Sequence, residues 1–178
     1  MLLRKPKLIV LDLDKVLWDH HDVSSLKPPL RRVNGRTIED SSGEVVTLRD
    51  DVREFLSYVK TRGIFLSTCS WNRFDRALDV LRAFELDHYF DLLVIELHPE
   101  KDLMMARILD HFSKFGVREE DTLYVDDRVY MLEKVRAKFP RMMTLRFHPA
   151  GDCFSFFRLM RMLGDPDDPG IQGDALGG

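Results

Sequence analysis

Two aspartates stand one residue apart in "LIVLDLDKV", at Asp12 and Asp14, directly after an apolar run. Residues two apart in an extended chain face the same side, so both carboxylates can reach one bound group. Far along the sequence Ser70 follows "IFLSTC", Lys101 follows "HPE", and Asp126 and Asp127 end "TLYVDD". Carboxylates gathered in one place repel each other unless a cation joins them, and hard oxygen ligands favour Mg²⁺. A carboxylate can attack phosphorus and split one hard displacement into two easier ones. A second carboxyl can protonate the leaving oxygen and later activate water. Mg²⁺ and an ammonium offset phosphoryl charge, while a hydroxyl or backbone N–H orients the group. These residue types suit phosphoryl transfer, provided that the fold brings them together.

The surrounding pattern says how it would. "KLIVLDL", "IFLST", "DLLVIEL", "TLYVD" and "MMTLRF" read as buried strands. Between and after them, "RDDVREFLSYVKTRG", "NRFDRALDVLRAF", "KDLMMARILDHFSKF", "MLEKVRAKF" and "CFSFFRLMRML" read as helices. In the first helix Val52, Phe55, Leu56 and Val59 share one face, and Gly63 sits where a C-terminal cap belongs. Short apolar strands alternating with helices predict an α/β fold, a Rossmann-like parallel sheet with helices on both faces. Ligands bind such sheets at the carboxyl ends of the strands, where Asp12, Asp14, Ser70, Lys101, Asp126 and Asp127 all fall. From Lys15 to Thr47 the rhythm breaks, and two strand-like runs around "DSSG" predict a small β-hairpin flap, a minimal cap after the first strand. One domain is expected over 1–164, with the flap at about 15–47. The Gly-, Pro- and Asp-rich stretch 165–178 is expected to be a disordered tail.

Composition narrows the class. The chain has 178 residues, 44% of them apolar and 32% charged, which describes a soluble globular protein. A net charge of -3 gives no general reason to expect nucleic acid. Its two cysteines, Cys69 and Cys153, argue against a disulfide framework and suit a reducing compartment. "MLLRKPK" lacks the apolar core of a signal peptide, and no apolar run approaches the ~20 residues of a membrane span. A cytoplasmic location without membrane association is expected. No oligomeric interface is legible.

"DLDKV", Ser70, Lys101 and "VDD" also occur in the order of the four motifs of the haloacid dehalogenase-like phosphatases. The sequence resembles its small magnesium-dependent phosphatase branch most, through "DLD" followed by "LW", the Pro-Pro element, the short hairpin and the bare "DD". The likeness covers roughly residues 7 to 150. It implies a Mg²⁺-dependent phosphomonoester hydrolase that forms an aspartyl-phosphate, with Asp12 as nucleophile and Asp14 as general acid/base. It implies Mg²⁺ held by the Asp12 side chain, the Asp14 backbone carbonyl and Asp126, with Asp127 as ligand or outer partner. Ser70 and Lys101 would bind the phosphoryl group, although Ser67 and Thr68 offer hydroxyls nearby. The substrate would be a phosphorylated small molecule or a phosphoprotein, of phosphotyrosine-like or sugar-phosphate type.

Blander readings stand beside these. Asp12 and Asp14 alone could mark the end of a strand, and Asp126 and Asp127 a turn. Trp18, His20, Trp71 and Asn72 are the expected substrate contacts, but each tryptophan can equally pack under the flap. "HHD" at 20–22 lacks the matching ligands of a zinc site. Cys69 is read as a small buried residue, since the Arg that a cysteine phosphatase needs six positions later is Asp75 here. Arg31, Arg32 and Arg36 are read as solvated hairpin charge, and Lys15 as tuning Asp14 or reaching solvent. A phospho-acceptor signalling domain uses similar residues, but its acidic pair follows the first strand and its acceptor the third. A binding module that lost the chemistry is the remaining alternative.

Overall fold

In the computed structural model, residues 3–164 are described, and the expectation of a disordered 165–178 lies outside them. Along the chain come β1 (Leu8–Leu11), β2 (Arg31–Arg32), β3 (Thr37–Glu39), β4 (Val45–Thr47), α1 (Val52–Thr61), β5 (Phe65–Thr68) and β6 (Ser70–Trp71). Then follow α2 (Phe74–Ala83), β7 (Ile95–Glu96), α3 (Lys101–Ser113), β8 (Thr122–Asp126), α4 (Val129–Lys138), β9 (Met143–Arg146) and α5 (Phe156–Leu163). The main sheet has the order β5-β1-β8-β9, with every neighbouring pair parallel. β1 is central and wholly buried, as a strand of four aliphatic side chains covered on both faces must be.

The two-residue period sorts those side chains. Ile9 and Leu11 pack with Phe55 of α1, Val80 of α2 and Leu159 of α5. Leu8 and Val10 pack on the other face with Ile108 of α3 and Val135 of α4. Continued past Val10, this alternation carries Asp12 to the α3 side. Along β8 it likewise sets Tyr124 and Asp126 on the same side. α1 stops where it should: Gly63 takes φ +67°, its N–H bonds Lys60 O at 3.0 Å, and the Ile64 N–H bonds Val59 O at 3.2 Å.

One expected strand is much reduced. In "DLLVIEL" only Ile95–Glu96 forms a strand, paired with β6, while Leu92 bridges Ser67. The cause is local, because the Thr68 hydroxyl accepts the Val94 N–H at 2.9 Å and so replaces a backbone ladder bond. The segment still runs along the sheet, since the Ser70 and Asn72 N–H groups reach Val94 O and Glu96 O at 3.1 and 2.9 Å.

The flap contains the expected hairpin, β3 against β4, and a third strand, β2. Asp40 closes its turn by accepting the N–H groups of Lys27, Ser42 and Glu44 and the Ser42 hydroxyl. These bonds, with Lys27 first, hold the Asp40 carboxyl well below the usual carboxylate range. Ile38, Val46 and Leu48 join Trp18 and Val52 in one core, so the flap is packed onto the domain. Among the described residues no helix is long and apolar enough to cross a membrane.

Candidate active site

Asp12 continues the line of β1, its N–H bonding Val125 O of β8 at 3.0 Å. Asp12 is 3% exposed, and its carboxylate lies 2.9 Å from the ammonium of Lys101, the first residue of α3. Lys101 is wholly buried and faces three oxygens. The other two are Cys69 O at 2.5 Å and Asp126 Oδ2 at 3.2 Å. Asp126 is fixed further by the Tyr124 hydroxyl on Oδ2 and the Arg128 N–H on Oδ1. Asp12, Asp126 and Asp127 each offer one carboxylate oxygen, all within 4.8 Å of one another.

One ammonium balances one of these three carboxylates, and two charges are left over. Burial, together with Asp126 and Asp14, pushes Asp12 up to about 7 even though Lys101 opposes the shift. Burial and Asp126 likewise raise Asp127. Burial works against the charge on Lys101, yet Asp12 and Asp126 hold its pKa above the ordinary lysine value. The site is short of positive charge, and three hard oxygen donors suit a divalent cation such as Mg²⁺.

Asp14 stands apart from the three. Its Oδ1 accepts from Trp18 Nε1 at 2.8 Å and from the Val23 N–H at 3.4 Å, and its Oδ2 from Asn72 Nδ2 at 2.8 Å. Burial raises its pKa, and the Trp18 and Asn72 bonds oppose the rise. Asn72 is held in turn by Ser24, whose hydroxyl donates to Asn72 Oδ1 at 2.5 Å. The flap thereby touches the proton-handling candidate through Val23 and, by way of Asn72, through Ser24.

A cavity of about 540 Å³ opens over Asp12, Asp14 and Asp127. Trp71 and Asn72 line it, and Trp71 is 45% exposed with the Arg128 guanidinium 5.8 Å from its ring centroid. Trp18 and His20 do not line it. Trp18 is wholly buried, stacked 6.4 Å from Phe84, and spends its indole N–H on Asp14. His20 is buried with Nε2 2.6 Å from Glu44, and its neighbour His21 lines the cavity instead. Ser70 is buried behind Asn72, whose amide it accepts at 3.2 Å. The Ser67 and Thr68 hydroxyls donate to the carbonyls of Thr68 and Val94. Cys69 is wholly buried, and burial pushes its thiol up to about 12, which leaves no reactive thiolate. Ser24, His21, Leu97 and Arg128 line the cavity without having been singled out from sequence. His21, with the neighbouring lining residue Asp22, carried a signal as part of "HHD".

Known proteins agree with this architecture. The chain is similar to Magnesium-dependent phosphatase 1 of Homo sapiens, 28% identical over 128 residues that cover 70% of this chain and 69% of that protein. A solved HAD-superfamily hydrolase of Geobacter sulfurreducens has a TM-score of 0.63 at 15% identity, covering 90% of this chain and 97% of that one. A phosphatase domain from Bacteroides fragilis, solved in complex with Mg, has a TM-score of 0.52 at 17% identity. It covers 78% of this chain, which spans 35% of that longer one. Residues 4–137 match the family described as Acid Phosphatase, three quarters of the sequence, and the chain belongs to that family, as a phosphatase of haloacid dehalogenase-like fold.

Proposed function

We propose that the protein is a Mg²⁺-dependent phosphomonoester hydrolase that works through an aspartyl-phosphate on Asp12. The observation that carries this reading is the pairing of two differently held carboxylates over one cavity. Asp12 is clamped by a buried ammonium, and Asp14 is held by neutral donors that leave it free to exchange a proton.

With Oδ1 on Lys101, Asp12 attacks phosphorus through Oδ2. The bond from phosphorus to the leaving alcohol breaks, and Asp14 gives that oxygen its proton. Asp14 then takes a proton from water, which attacks the same phosphorus and returns Asp12 as a carboxylate. Lys101 has all three N–H donors facing oxygens, so it assists by fixing Asp12 and its charge. Ser70 sets the Asn72 amide that meets Asp14. When bound at Asp12, Asp126, Asp127 and the Asp14 carbonyl, Mg²⁺ supplies charge neutralisation of the phosphoryl oxygens.

The open mouth, with an exposed Trp71, suits an aryl or sugar phosphomonoester, free or on a protein. The two cysteines are both unpaired and buried, in keeping with a cytoplasmic site of action. Purified protein with Mg²⁺ should release phosphate from a panel of sugar, nucleotide and phosphopeptide esters, and lose that activity on metal removal or in Asp12→Asn. Full activity in Asp12→Asn, or none on any ester, overturns the reading.

A further inference from the structure

The catalytic cavity shares two walls, Lys15 and Asp127, with a smaller cavity of about 270 Å³. Arg49 and His148 also line this second space, with Phe147 and Phe154. Arg49 is fixed there, its Nε and Nη2 donating to Lys15 O at 3.1 and 2.8 Å and its guanidinium lying 4.6 Å from the Phe154 ring centroid. Those two bonds steady the backbone of Lys15, which takes φ +63° immediately after Asp14. Among the described residues neither Arg49 nor Lys15 forms a side-chain ion pair, although Arg49 is half-buried. His148 accepts the Ala150 N–H at Nδ1 and keeps Nε2 in reserve. Asp19 also attracts the Arg49 guanidinium from outside this space, and within it three basic side chains line the wall with one acid. That acid is Asp127, a member of the carboxylate cluster whose charge a cation would take up.

We propose that this second cavity is an anion subsite, where Lys15, Arg49 and His148 receive a further phosphate or carboxylate carried by the substrate. The preferred substrate is then a small phosphomonoester with a second anionic group on its leaving portion. This rests on the phosphomonoesterase reading for its placement beside Asp12 and Asp14. A charge-assisted contact to Lys or Arg is worth about tenfold or more in affinity.

Two matched phosphonates that cannot be hydrolysed isolate binding. 2-Amino-4-phosphonobutanoate differs from 3-aminopropylphosphonate by one carboxylate, and calorimetry with Mg²⁺ should show it binding about tenfold more tightly. Hydrolysis should show the same preference for O-phosphoserine over O-phosphoethanolamine, and for fructose 1,6-bisphosphate over fructose 6-phosphate. In Lys15→Met, and more weakly in His148→Gln, each ratio should shrink toward one. Equal affinities and rates within all pairs overturn the subsite, as does a preference that survives in both variants. If no ester is hydrolysed but the phosphonates are still told apart through Lys15, the phosphatase reading fails and the subsite stands.

Discussion

Replacing Lys101 by Met keeps most of the side-chain volume and removes the ammonium buried against Asp12, Asp126 and the Cys69 carbonyl. Asp12 and Asp126 are 3% and 0% exposed, so water cannot take over the lost partner. Breaking a buried ion pair from one side costs about 3–5 kcal/mol, because the remaining charge stays buried. At about 2–4 °C per kcal/mol for a domain of this size, Lys101→Met should melt roughly 6–20 °C below wild type in EDTA. Asp12→Asn makes the opposite change. It removes one of the excess carboxylates, while Lys101 keeps Asp126 and the Cys69 carbonyl. Burial and neighbouring acids push Asp12 up to about 7, so its ionised form is unfavourable in the metal-free fold and its loss should leave melting unchanged or higher. Both variants should lose turnover by about 10³-fold or more. Calorimetric melting at about pH 8, paired with phosphate release, reads both quantities. The charge account is wrong if Lys101→Met melts within about 2 °C of wild type, or if Asp12→Asn falls as far as Lys101→Met.

Asp14→Asn should lower kcat by about 10²–10⁴-fold, and Trp18→Phe by about tenfold, with the loss in kcat and little change in KM. A KM effect alone in Trp18→Phe would speak against its holding Asp14. Asp12, Asp14 and Asp127 have raised folded-state pKa values, so their stabilising contribution is complete at low pH. In the metal-free protein it is lost as pH rises, for Asp12 through about 7. Mg²⁺ should therefore raise the melting temperature more at about pH 8 than at about pH 5.5, and equal gains would contradict the shifts. Cys69→Ala should keep turnover within about threefold, whereas a loss beyond about a hundredfold would restore the thiol as a candidate.

Much of this site was legible because parallel strands write plainly in sequence. β1 is four aliphatic residues, buried throughout, so the acids that follow it had to sit at the sheet's carboxyl edge. The two-residue period paired Asp12 with Asp14 in the sequence, whereas the side shared by Asp12, Asp126 and Lys101 is visible only in the structure. Gly63 marked the end of α1 because only a left-handed residue closes that turn without strain. Other features left no such trace. The reduction of "DLLVIEL" follows from one Thr68 hydroxyl taking a ladder bond, which composition does not encode. β2 is two exposed arginines with no apolar alternation. In the flap no period tells His20 from His21, and the Asp22 carboxylate that caps Val23–Ser25 through the Ser24 N–H decides the local path. Trp18 carried two readings, and sequence alone could not show that it lies buried beside Phe84 with its indole N–H on Asp14.

In the proposed reaction Asp12 itself carries the phosphoryl group. Turnover quenched within its first cycle and reduced with borohydride converts an acyl-phosphate aspartate to homoserine, which peptide mass spectrometry locates. Homoserine should appear at position 12 only with substrate and Mg²⁺, with Asp14 unmodified and more homoserine accumulating in Asp14→Asn. Robust phosphate release with no modification at Asp12, or with the modification at another residue, would contradict it.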